Sequence, residues 1–231
     1  MSGADVEFRF TTVDDEERFV REYLADVWPR FEAADHWETG WFWRYGGFAA
    51  YDAGPDGGLV RIVFEGDPDG FVAAEGDRWD GFDGLASWSL DRYEERDPPY
   101  DSLAAQQREA KGERAGEWDY RLKPLVARFV LACVREFDDP AVLPADGESV
   151  DGNYGLWAAT HYLWVMTGRD WYDETDVCLR ALRNRVLSIA HYRGADAART
   201  EYERLLSAWE AERESIEAAL DERSTGEGET V

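Results

Sequence analysis

Between residues 5 and 95 the apolar residues change their spacing several times, and the order of those changes leaves few folds open. Residues 5–12 (DVEFRFTT) alternate as a strand does, with Val6, Phe8 and Phe10 on one side and Glu7 and Arg9 on the other. Residues 14–35 then follow a helical period. Val20, Tyr23, Leu24, Val27, Trp28 and Phe31 make one stripe, and Asp14 to Glu17 sit at the positive end of the helix dipole. Pro29 is expected to kink or end that helix. Residues 39–51 read as a strand or bulged strand, 52–58 (DAGPDGG) as a turn, and 59–65 (LVRIVFE) as the clearest strand of the chain. A short helix with loops is expected over 66–84, and 85–91 (LASWSLD) alternates again. The series is β-α-β-β-α-β, the ferredoxin-like arrangement of an antiparallel sheet.

Beyond residue 100 the pattern is helical. Stripes or apolar runs over 120–138, 153–168, 174–192 and 196–222 give a C-terminal set of about four helices. The class expected is therefore α+β. The sheet region is 1–100, and the helical region 101–223 packs on it in one compact domain. The segment 153–168 is apolar nearly all round and is expected to be buried. Residues 139–152 read as a loop and 224–231 as a disordered tail.

Charge narrows the function classes. The chain of 231 residues carries 50 acidic and 25 basic residues, a net charge of −25. Only Lys111 and Lys123 among the basic residues are lysine. Acidic excess with so little lysine marks a protein of a salt-rich cytoplasm, where salt screens the self-repulsion. A nucleic-acid partner is not expected, because no basic footprint exists. Nor is a membrane partner, because no run of about 18 apolar residues occurs. The N-terminus shows no secretory pattern, which is consistent with a cytoplasmic location. Cys133 and Cys178 read as buried free thiols. No Walker A, H-E-x-x-H, G-x-S-x-G or metal-spaced cluster is present.

Two arginines interrupt strands. Arg61 points away from Val60, Ile62 and Phe64, and Arg44 points away from Trp41, Trp43 and Tyr45. Grouping the apolar sides gives one apolar sheet face and a second face bearing Arg9, Arg44, Arg61, Ser87 and Ser89. If helices cover that second face, the arginines line a half-buried cleft and need carboxylates or another anion. Internal salt bridges and an anion site both satisfy that need. His161 shares a helix face with Trp157 and Trp164. It is either a satisfied core residue or, facing such a cleft, a general acid and base.

The segment WFWRYGGFAAYDAGPDGGLVRIVFEGDPD (41–69) and the later THYLWVMTGRDWYDETDVCLRALRNR (160–185) resemble the C-terminal domain of lantibiotic dehydratases, which also occurs as a standalone protein of thiopeptide-type bacteriocin biosynthesis. The family strand with two arginines keeps one here, Arg61, and its helix motif keeps His161 and Gly168. Its middle motif fits YEER (93–96) or EAKGERAG (109–116), giving Arg96 or Arg114. The resemblance implies a peptide-modifying lyase that eliminates glutamate from glutamylated Ser or Thr, or a related peptide cyclase. It implies His161 and Arg61 as catalytic residues and Arg44, Arg96 and Arg114 as substrate-binding residues. The implied partner is a peptide substrate or a partner dehydratase, with no cofactor. The competing reading is a non-enzymatic, salt-adapted interaction module with the same fold.

Overall fold

The computed structural model describes residues 2–44, 57–137, 161–163, 165–168 and 170–226. The protein is mixed α+β, with one four-stranded antiparallel sheet and seven α-helices among these residues. Its contacts divide it into two units, Met1–Gly155 and Leu156–Val231.

In the first unit β1 (Gly3–Phe10) leads into α1 (Val13–Arg18). The Thr12 side chain caps α1 by accepting from the Asp15 N–H at 3.1 Å. The helix continues through a π-helical stretch (Phe19–Leu24) into α2 (Ala25–Glu32). Pro29 lies inside α2, and the helix stops one turn later. β2 (Trp37–Arg44) and β3 (Gly58–Gly66) follow. Residues 45–56, the expected remainder of strand and turn, lie outside the described residues.

The second helix of the series is longer than a short helix with loops. α3 spans Pro68–Asp80, started by the Asp67 side chain on the Asp69 N–H and by Pro68 in the first turn. β4 (Leu85–Arg92) completes the sheet in the order β2-β3-β1-β4. A further helix, α4 (Leu103–Lys111), starts at Ser102 and precedes the long α5 (Glu113–Glu136).

One sheet face and helices α1 to α3 enclose an aromatic core. Phe8, Phe19, Trp28, Phe31, Phe64, Phe71 and Trp79 are all buried there. Phe71 of α3 sits 4.7 Å from the Phe64 ring and 4.9 Å from Phe31, centroid to centroid. α5 runs against β2 on the other face, where the Tyr120 ring stands edge-on to buried Trp41 at 6.4 Å. Toward β4 that face is more open, with Ser87 and Ser89 exposed.

Gly66 closes β3 with φ at +150°, and a Cβ there would stand 2.1 Å from the His36 carbonyl oxygen. That neighbour is backbone and has no rotamer to change. Gly66→Ala should therefore lower stability by about 2 kcal/mol, measured by urea unfolding.

The second unit contains α6 (Trp171–Arg193) and α7 (Ala195–Gly226), packed as a hairpin around Gly194 at φ +88°. α7 extends through 224–226, so the tail expected from 224 starts as helix. Residues 227–231 and the loop 139–152 lie outside the described residues. The described part of the segment expected to be buried, 153–168, is instead open. Tyr162, Leu163, Val165 and Met166 are each at least half exposed. Cys178 is also exposed and Cys133 half-buried, both free. Among the described residues no helix is long and apolar enough to cross a membrane.

Candidate functional site

Strand register decides which arginines share a face. Arg61 pairs across the strands with Glu7 on β1 and with Trp43 on β2. Arg44 pairs with Val60, and Phe42 with Ile62. Residues directly opposite one another point to the same side. Arg44 therefore belongs to the apolar, helix-covered side, and Arg61 to the opposite one. The sequence grouping that put Arg44 and Arg61 together is corrected here. β2 carries bulky apolar residues at 41, 42 and 43, so both of its sides look like a core side until its register is known.

Each arginine has a carboxylate of the fold itself. Arg61 donates from Nη2 to Glu7 Oε2 at 2.8 Å, and Arg9 donates to the other oxygen of Glu7 at 2.6 Å. Burial pushes Glu7 up, but bonds to Arg61 and Arg9 and their charges outweigh it and hold the carboxyl below its ordinary range. The Arg61 side chain is 36% exposed, so this cluster lies at a half-open surface.

Arg44 reaches down to α1. Its Nε donates to Glu16 Oε1 at 2.7 Å, and its Nη2 bonds Glu17. Glu16 is fully buried, and its Oε2 has no hydrogen-bond partner. Burial raises the Glu16 carboxyl above its ordinary range, with Arg44 offsetting only part of that rise. Glu17 moves the opposite way. Burial raises it less than Arg44 and Arg21 lower it.

Arg96 follows β4 and donates to Asp5 at 2.9 Å and to Asp91 at 2.6 Å. Its guanidinium lies 4.8 Å from the Tyr93 ring centroid. Asp5 and Glu7 are alternate residues of β1, so Arg96 and Arg61 grip the same sheet side. Arg114 is exposed in the first turn of α5. Of the two motif alternatives, Arg96 joins the sheet-face cluster.

His161 belongs to the second unit, where its Nδ1 lies 2.9 Å from Glu174 Oε2. Glu174 is buried, and the Asp170 cap of α6 fixes the helix turn that presents it. Trp157 and Trp164, expected beside His161, lie outside the described residues.

Sequence reading missed two further buried charges. Glu75 of α3 is only 2% exposed and accepts from Tyr23 Oη at 2.7 Å and from Arg30 at 2.8 Å. Glu65 of β3 is 1% exposed and accepts from the Leu103 N–H and from Tyr120 Oη. It pins α4 and α5 to the sheet. Both lysines of the chain bond Asp119, and Lys123 Nζ also stands 5.1 Å from the Trp41 ring and 5.2 Å from Trp43. A compact ammonium on a thin stem suits that slot better than a planar guanidinium. The available signal was the rarity of lysine in an arginine-rich chain.

No group of three or more potential metal ligands occurs among the described residues. Comparison with family models, curated proteins and solved structures returns no match.

Proposed function

We propose that this chain is a salt-adapted, ferredoxin-like interaction module of a halophile's cytoplasm, acting by binding a peptide or partner protein. The observation that carries the reading is the use of its arginines. Arg44, Arg61 and Arg96 hold carboxylates of the fold, and Arg44 and Arg61 stand on opposite sides of the sheet. A glutamyl-binding site needs guanidinium groups converging on one foreign carboxylate. The element order and the strand order β2-β3-β1-β4 support the ferredoxin-like topology.

A second reading has its own observation. Arg9 and Arg61 lie together on a half-open sheet side near exposed Ser87 and Ser89. In the lyase that the sequence resembles, that side would hold a glutamylated Ser or Thr peptide. Arg61 would support the leaving glutamate there, and the reaction also needs a base for the Cα proton, the role the resemblance gives to His161. Elimination breaks the Cα–H and Cβ–O bonds and releases glutamate, leaving a dehydroamino acid.

One experiment separates the two. A glutamylated Ser peptide is incubated with the full chain in about 2 M KCl, conditions that screen its net charge, and followed by mass. The module reading expects no loss of glutamate, and Arg61→Ala lowering stability by about 1 kcal/mol or less, as for an exposed ion pair. Glutamate loss that disappears in both Arg61→Ala and His161→Ala would establish the lyase instead.

A further inference from the structure

Every basic residue of this chain but two is arginine, and those two, Lys111 and Lys123, meet at one carboxylate. Lys111 ends α4 and Lys123 lies in α5. Both bond Oδ2 of buried Asp119, Lys123 at 3.0 Å. Where a positive charge is enough, this chain uses arginine. What lysine has and arginine lacks is a nitrogen that can give up its proton and act as a nucleophile.

The two lysines differ in setting. The Lys123 side chain is 15% exposed, against 47% for Lys111. From β2 it meets the rings of Trp41 and Trp43, 5.1 and 5.2 Å from Nζ. These are alternate residues of one strand and share the side that α5 covers. Trp41 is buried and Trp43 is 40% exposed, so the slot opens to solvent along Trp43. From α4 come Lys111 and Gln107, whose side-chain oxygen accepts from Lys123 Nζ. Among the described residues, the charged groups about Nζ are thus Asp119 and Lys111. Burial lowers the Lys123 ammonium below its ordinary value, and the charge of Lys111 adds to this, together outweighing the bond and charge of Asp119. A desolvated lysine beside a second ammonium is the arrangement that makes an amine nucleophilic near neutral pH.

We propose that Lys123 is a carbonyl-capturing amine, which forms an imine with planar aromatic aldehydes stacked on Trp43. The nitrogen lone pair forms the N–C bond as the carbonyl π pair moves onto oxygen. That oxygen then leaves as water with both protons of the amine, and nothing is oxidised or reduced. Asp119 Oδ2, 3.0 Å from Nζ, is placed to carry those protons. The inference stands apart from the module reading, because the imine is read at Lys123 whatever the sheet face binds.

The test incubates the full chain in about 2 M KCl at pH 7 with benzaldehyde and cyanoborohydride, which reduces the imine to a stable amine. Peptide mass mapping then reads Lys123, Lys111 and the N-terminal amine separately. Lys123 should be labelled about tenfold faster than the more exposed Lys111, and the two should react alike in the urea-unfolded chain. Lys111→Ala should slow labelling of Lys123 severalfold, and Lys111→Arg, which keeps the charge, should not. Benzaldehyde should label Lys123 faster than acetaldehyde by about fivefold, the order that one ring contact supplies, and Trp43→Ala should abolish that preference. Near-ultraviolet circular dichroism checks that each variant is folded. Lys111 labelled as fast as Lys123 in the folded wild-type chain would overturn the proposal. So would labelling of Lys123 that is indifferent to Lys111→Ala, or an aromatic preference that survives Trp43→Ala.

Discussion

Arg44→Ala is expected to destabilise the first unit by about 3–5 kcal/mol at pH 7, the range for breaking a buried ion pair from one side. The loss comes less from the contact than from what it leaves behind. Glu16 is fully buried, one of its oxygens already has no partner, and Arg44 is the guanidinium bonded to the other. Without Arg44 the carboxylate is an uncompensated charge beneath the sheet. Its remedy is to take up a proton, which gives the loss a pH dependence of known sign. The folded-state value of Glu16 is already raised above its unfolded value. A group raised in this way favours folding at low pH, and that contribution fades as pH rises from the unfolded value through the folded one. Removing Arg44 raises the folded value further and extends that window upward. The penalty of Arg44→Ala should therefore shrink on acidification from pH 7 toward about pH 5. Urea unfolding in molar KCl at the two pH values measures it.

Phe71→Ala is expected to cost a similar amount, about 3–5 kcal/mol, with no pH dependence. Phe71 is fully buried and has the rings of Phe31, Phe64, Trp37 and Trp79 around it, all within 5.5 Å centroid to centroid. Truncation removes the transfer free energy of one ring, its edge contacts, and the packing of a wall built from rigid rings that collapse poorly. Phe71→Leu keeps most of the volume and should recover more than half of the loss. Equal losses for the two variants would show that ring geometry, rather than volume, holds this core together.

The fold was legible where spacing alone decides it. Val60, Ile62 and Phe64 against Val6 and Phe8 define the core side of β3 and β1, and both strands lie where the alternation places them. β2 was legible as a strand but not in its facing. Trp41, Phe42 and Trp43 satisfy either orientation, and register comes from pairing with a distant strand. That single ambiguity placed Arg44 on the wrong side. α3 was understated because Gly70 and Gly76 dilute its pattern, while its start is fixed by Asp67 and Pro68. Glu65 and Glu75 were illegible for a different reason. Among fifty acidic residues, nothing local distinguishes a carboxylate that will be buried from one that will meet water.

The account rests on arginines serving the fold, and its most direct test is a double-mutant cycle on Arg44 and Glu16. Unfolding free energies are measured for Arg44→Ala, Glu16→Ala and the double variant in molar KCl at pH 7. The expected result is a double variant clearly more stable than Arg44→Ala alone, because removing the stranded carboxylate relieves most of the penalty. Losses that simply add would contradict the account, since Arg44 would then not be holding Glu16.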